Sequence, residues 1–275
     1  MNLTPSLEQM TQAYLVDLAL SPEQLDIDFL RDLQSAHIAR YSFNSLAVVL
    51  NQEIPLDLPI LFTKIVEKHR GGYCFEHNKL VLNVLSELGF DVRLLLAKVI
   101  YNRDVDVART HRVTLLELQG EQYIVDAGFG HFGARFPVKI DLGLEQDQGD
   151  SVYRIIKKTQ GDYCYQVLKD NAFFTLYTFN LNHYSEAECL PAHFYSHRYP
   201  EAAFVTNLVI CRKYFNHIQS LRNGEYHQVQ DGETTITKIS SAKQLYQLMT
   251  EVFELDVDIA VSEFLFSRFI ENKSS

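Results

Sequence analysis

After Gly89 the spacing of apolar residues changes from about 3.6 to 2, and no single helical or all-β fold accommodates both halves. Before the switch, Leu25, Phe29, Leu30, Leu33, His37 and Ile38 recur at helical spacing. The preceding Ser21-Pro22-Glu23-Gln24 offers a capping serine, a proline at the first helical position and a capping-box glutamine. A second helix is predicted over 58–68, with Ile60, Leu61, Ile65 and Val66 on its apolar stripe and Gly71-Gly72 ending it. A third begins at Cys74, carries Leu80, Val81, Val84, Leu85 and Leu88, and stops at Gly89.

Beyond Gly89 the alternation predicts strands over 92–100, 111–118 and 122–126, then over 152–158, 163–169 and 172–180. Gly120-Glu121 suits the two central positions of a tight hairpin turn. A meander of this kind closes or half-closes into a barrel or a curved sheet. The last third mixes both classes. Ser185 and Glu188 form a capping box for a short helix from Glu186, strands are predicted over 204–212, 225–230 and 234–239, and Ser241 opens an amphipathic helix. The expected fold is therefore α+β in three parts: a helical bundle over 1–89, an antiparallel β-barrel over 90–184 and a mixed segment over 185–275.

A net charge of -10 argues against a general nucleic-acid binder, which needs a basic surface. The N-terminal stretch lacks a basic region and carries acidic residues early, so a secretory signal is not expected, and no apolar run reaches membrane-spanning length. Four cysteines without paired spacing (Cys74, Cys164, Cys189 and Cys211) suit reduced thiols in the cytoplasm.

Cys74 sits directly after the double glycine of Arg70-Gly71-Gly72-Tyr73-Cys74 and at a helix start, where unpaired N–H groups favour an anion. A free thiol with pKa near about 8.5 is mostly protonated at neutral pH, so a nucleophilic cysteine needs such help, plus a base and a group to orient the base. His111 opens a strand after the polar loop 102–110, and Asp126 ends the next strand before Ala127-Gly128-Phe129-Gly130. With Gly120-Glu121 as the turn, Asp126 falls opposite Leu115. His111 and Asp126 then share a face but stand about 13 Å apart, too far for a hydrogen bond. Packing remains a rival reading of each residue: Cys74 as core filler, His111 as a satisfied strand histidine, Asp126 as a turn-former. Cys74 and His77 have zinc-like spacing, but no second ligand pair accompanies them, so no metal is expected. No nucleotide-binding glycine motif is present.

The stretches RGGYCFEHN, THRVTLLEL and YIVDAGFG, with LVLNVLSELGFDVRLLLAKV between the first two, resemble the arylamine N-acetyltransferase family in order and distance. The resemblance is dense from about Tyr14 to Gly130 and thinner beyond. It implies a cysteine-peptidase-like core, with the last third as an α/β lid, and a catalytic triad of Cys74, His111 and Asp126. It implies acetyl-CoA as co-substrate and aromatic amines or hydrazines as acceptors, with no metal, nucleic-acid or membrane partner. By the same resemblance, Phe129, Phe43, Phe204 and Thr110 are expected to contact substrate, and Arg70, Gly71, Gly72, Gly128 and Gly130 to give structural support. Where the family commonly has Pro-Phe-Glu-Asn-Leu, this chain has Ser42-Phe43-Asn44-Ser45-Leu46, so the acid that holds the arginine of the RGG turn is missing. Two other readings stay open: a cysteine amide hydrolase, transglutaminase-like enzyme or amide synthase using the same triad, and a non-catalytic binder of aromatic amines or CoA.

Overall fold

The computed structural model describes residues 5–21, 23–158 and 161–271. The helix expected at Cys74 runs over Cys74–Glu87 and buries Leu80, Val81, Val84 and Leu85 on one face. Those side chains share a core with Tyr14 from the helix Leu7–Asp17 and with Leu30 and Leu33 from the helix Ile27–Arg40. The latter helix starts later than Ser21 predicts. Asp26 accepts the Phe29 N–H at 3.0 Å and is the cap; Pro22 lies outside the described residues.

The 58–68 segment is also corrected. It is α-helical over Leu58–Phe62 and then widens into a π turn over Thr63–Glu67. The wider turn rotates the stripe, burying Leu61, Ile65 and Val66 while Ile60 stays 48% exposed. His69, at φ +49°, ends the helix rather than the two glycines.

The barrel is an antiparallel, nearly closed sheet. Its strands lie in the order Val138–Lys139, Glu121–Val125, His111–Leu118, Asp91–Val99, Ala172–Phe179, Tyr163–Lys169, Val152–Lys157 and Gln146–Asp147. A bridge between Leu142 and Ile155 brings its two ends together. Leu95, Val113, Ile124, Ile155 and Leu176 fill its interior.

The capping box at Ser185 and Glu188 does start a helix, Glu186–Arg198. It is tied to the barrel by Arg112, fully buried, whose guanidinium donates to both carboxylate oxygens of Glu186 at 2.9 and 2.6 Å. The strand predicted over 204–212 divides. Ala203–Thr206 is a helical turn, because the Ala202 carbonyl takes the N–H groups of Val205 and Thr206, and only Val209–Lys213 is extended. A second antiparallel sheet runs in the order Phe43–Asn44, Val209–Lys213, His217–Arg222, Glu225–Gln230 and Glu233–Lys238. Its first strand comes from the N-terminal part of the chain. The helix from Ser241 covers Ala242–Gln247, continues as a π turn over Leu248–Val252, and packs with the helix Ile259–Phe269 on that sheet.

Candidate active site

The turn before Cys74 is built from backbone contacts. Gly71 has φ +59°, and a Cβ there would lie 1.9 Å from the Ser42 carbonyl oxygen, so only glycine fits. Gly72 N–H donates to that carbonyl at 3.2 Å, and the Gly72 carbonyl accepts the Asn44 N–H at 2.7 Å. The Glu76 carboxylate accepts the Tyr73 N–H at 3.2 Å and pairs with Lys64 at 2.5 Å. Cys74 is thereby fixed as the first helical residue, beside the unpaired N–H groups of that end. Arg70 has no acid beside it in the turn. Its guanidinium reaches outward to Asp256 at 3.9 Å, with both side chains largely exposed.

His111 and Asp126 meet because the hairpin turn is one residue earlier than expected. Gln119 and Gly120 occupy the two left-handed positions (φ +53° and +80°), and Leu118 pairs with Glu121. Thr114 pairs with Val125, so Asp126 falls one step on, opposite Val113 rather than Leu115. The offset from His111 shrinks to two residues, about 7 Å, which two side chains span. The Nε2 of His111 and an Asp126 carboxylate oxygen are 2.7 Å apart, both side chains buried. The Cys74 thiol borders the same cavity as His111 and favours charge on it, and its sulfur lies 3.7 Å from the Thr110 carbonyl oxygen.

Burial opposes charge on His111, but the Asp126 carboxylate and the contact with Cys74 outweigh it and carry the imidazole up to about 10. Burial likewise opposes charge on Asp126. His111, the Asn78 amide and the Gly128 N–H together hold its carboxyl below the ordinary range. The Tyr177 ring centroid sits 5.1 Å from that of His111, its phenol pushed well above 10 by burial and by Asp126. Burial also raises the thiols of Cys164, of Cys189 to about 11 and of Cys211 to about 12.

Cys74, Thr110 and His111 open into a cavity of about 360 Å³. Phe43, Phe129 and Phe204 line it, as do Tyr101 and Phe132. Gly128 closes the floor; a Cβ there would lie 2.8 Å from the Cys74 Cα. Gly130 backs onto the Phe43 ring. Ser220, Leu221 and Arg222 of the second sheet form the opposite side. Among the described residues no group of three or more His, Cys, Asp or Glu side chains could hold a metal ion.

Sequence reasoning missed Asn78. One helical turn after Cys74, it donates to Asp126 at 2.9 Å and to the Arg112 carbonyl at 2.6 Å, and accepts the Ala127 N–H at 2.9 Å. Its i+4 spacing from Cys74 was the available signal. Gln34 was missed too; its amide accepts the Asp126 N–H at 3.2 Å and donates to the Ala134 carbonyl at 2.9 Å. Behind the turn runs a buried chain of bonds: Tyr14 O–H to His37 Nδ1 (2.8 Å), His37 Nε2–H to His77 Nδ1 (2.7 Å), and His77 Nε2–H to the Ser42 carbonyl (3.2 Å). A carbonyl can only accept, so the direction of every link is fixed. Burial lowers both imidazoles, His77 to about 4, and the chain is neutral at pH 7.

A thiol at a helix start, facing an imidazole whose far nitrogen is held by a carboxylate, is the arrangement of enzymes that act through an acylated cysteine. The chain belongs to the N-acetyltransferase family, whose model matches residues 26–262. It is 32% identical over 243 residues to an arylamine N-acetyltransferase of Escherichia coli K12, covering 86% of this chain and 85% of the relative. The solved arylamine N-acetyltransferase of Salmonella typhimurium superposes with a TM-score of 0.89 at 28% identity, over 94% of this chain and 98% of that one. The Mycobacterium marinum arylamine N-acetyltransferase, solved in complex with CoA, shares the fold at 24% identity and a TM-score of 0.88, over 94% of this chain and 99% of that one.

Proposed function

We propose that this chain is an acetyl-CoA-dependent arylamine or arylhydrazine N-acetyltransferase that works by ping-pong transfer through an S-acetylated Cys74. The observation that carries the reading is the 2.7 Å contact between His111 and Asp126, with the Cys74 thiol as the third member, at the floor of an aromatic-walled cavity. An imidazole raised to about 10 carries a proton at neutral pH, beside the sulfur that serves as nucleophile.

In the first half-reaction the Cys74 sulfur attacks the thioester carbonyl of the donor. The bond to the CoA sulfur breaks, and His111 gives that sulfur its proton. In the second, the amine nitrogen attacks the acetyl carbonyl, the now neutral His111 takes the N–H proton, and the bond to Cys74 breaks to release the amide. Asp126, itself held by Asn78 and Gly128, keeps the imidazole in one orientation and one tautomer throughout. Phe43, Phe129 and Phe204 offer flat apolar walls to an aromatic acceptor, and Thr110 borders the thiol. No helix of the described residues is long and apolar enough to cross a membrane. The free, buried cysteines suit a reducing compartment, the cytoplasm.

Intact mass spectrometry tests the reading. Acetyl-CoA alone should add one acetyl group to the wild type and none to Cys74→Ser, and an arylamine should then remove it. A donor that leaves the wild-type mass unchanged would point to a different acyl group or to a non-catalytic binder.

A further inference from the structure

Lys213 ends the strand Val209–Lys213 and is 3% exposed, an unusual place for an ammonium. Its nitrogen has three acceptors: Asp150 at 2.5 Å, the Gly133 carbonyl at 2.5 Å and the Tyr153 hydroxyl at 3.2 Å. All three belong to the barrel part of the chain, whereas Lys213 belongs to the second sheet. The Tyr153 hydroxyl in turn donates to the Gly133 carbonyl at 3.0 Å. The Gly133 N–H closes the turn onto the Gly130 carbonyl at 2.9 Å. A three-donor group is therefore fully used across the boundary between two sheets.

That boundary is the cavity. The turn 130–133 follows Phe129 and carries His131 and Phe132, all three of which line the cavity from the barrel side. Ser220, Leu221 and Arg222 line it from the strand next to Lys213. His131 Nδ1 and the Ser220 hydroxyl meet across the gap at 2.9 Å. Burial, then the Lys213 charge, lowers His131 to about 4, so that contact is made by a neutral ring. Burying an ion pair is costly, and a well-packed apolar side chain in its place is often neutral or better for stability. What the ammonium adds over packing is a fixed geometry between the two walls.

We propose that Lys213 is a positioning residue that sets the width of the acceptor cavity, and with it the preference for single-ring over fused-ring amines. The proposal rests on reading the cavity as the acceptor site. At about 360 Å³ the cavity is at the small end for ligand pockets, so wall spacing decides which rings fit. Without the clamp the turn 130–133 is held only by its bonds with Tyr153 and Ser220, and a small withdrawal admits larger acceptors. The slender thioester arm of the donor is less sensitive to that wall.

The test compares wild type, Lys213→Met and Tyr153→Phe, each with a single-ring and a fused-ring arylamine, and measures acetylation of Cys74 by acetyl-CoA separately. Lys213→Met should raise the ratio of fused-ring to single-ring kcat/KM by about tenfold, chiefly through KM. Its Cys74 acetylation rate should stay within about threefold of wild type. Tyr153→Phe keeps the charge pair and should move the ratio in the same direction by less; it serves if Lys213→Met does not fold. An unchanged ratio, or an equal fall for both amines, means that Lys213 contributes only stability and overturns the proposal. A wild type that acetylates Cys74 but neither amine overturns the acceptor reading and this inference together. A wild type that turns over both amines while the ratio stays fixed in both variants overturns this inference alone.

Discussion

The side-chain amide of Asn44 donates to the carbonyl oxygen of Arg70 at 2.9 Å, so the turn before Cys74 is held by its main chain and not by its guanidinium. The same nitrogen reaches the Ser42 carbonyl and hydroxyl at 3.3 and 3.0 Å, and the amide oxygen accepts the Leu46 N–H at 3.1 Å. Asn44 stands where the family commonly has an acid, and it replaces an ion pair to the arginine side chain with hydrogen bonds to the arginine backbone.

Asn44→Ala should therefore destabilise the protein by about 2 kcal/mol, since it strands several buried groups. Arg70→Ala should cost less than about 0.5 kcal/mol, because the Arg70–Asp256 pair is long and solvated. Urea denaturation of the two variants measures both. The reverse order would mean that the guanidinium is the anchor after all.

Alkylation of Cys74 by iodoacetamide at about pH 6 should be fast in the wild type and about a hundredfold slower in His111→Ala, because removing the imidazole removes the cation that favours a thiolate. Fast alkylation in the variant would assign thiol activation to the helix end alone.

The His111–Asp126 pair also ties stability to pH. The folded value for His111, about 10, lies above the ordinary 6.5, so the folded state binds the extra proton between those values. Its contribution is complete below about pH 6.5 and is lost as pH rises towards 10. Asp126 is shifted down, so its contribution is present above the ordinary carboxylate range and is lost as pH falls through the lowered folded value. Melting curves across the alkaline window should show a steeper loss for wild type than for His111→Gln. Parallel curves would place the imidazole near its unperturbed value.

Gly128→Ala would put a methyl group 2.8 Å from the Cys74 Cα and 2.9 Å from the Asn78 amide nitrogen. The backbone of Cys74 cannot yield as a flexible side chain could, so the helix start and the loop after Asp126 must move apart. Displacement on the order of 1 Å between reacting groups costs about a hundredfold in rate. Stopped-flow acetylation of Cys74 should fall by that much while the variant remains folded by circular dichroism.

The helices Ile27–Arg40 and Cys74–Glu87 and the long barrel strands were legible because their apolar residues face one local core each, so the period survives in the chain. His111 and Asp126 were legible as candidates by residue type and not by geometry. One residue of hairpin register, Gln119-Gly120 in place of Gly120-Glu121, separated a 2.7 Å contact from an impossible one. The last third hid its elements for other reasons. His217–Arg222 carries Ser220 towards the cavity and so breaks its own alternation, and Phe204 sits in a helical turn facing Phe43 rather than in a strand. Phe43–Asn44 is too short to read, since its partner lies far along the chain at Ile210 and Cys211.

The pairing of Phe43–Asn44 with Val209–Lys213 has a consequence for biosynthesis. The cysteine is translated early, yet the strands that complete its cavity leave the ribosome more than a hundred residues later. A nascent chain holding only the bundle and barrel carries the thiol and its imidazole without the far wall, so the cavity is completed last. Folding of the second sheet, rather than synthesis of Cys74, marks the moment at which the space above the thiol is enclosed.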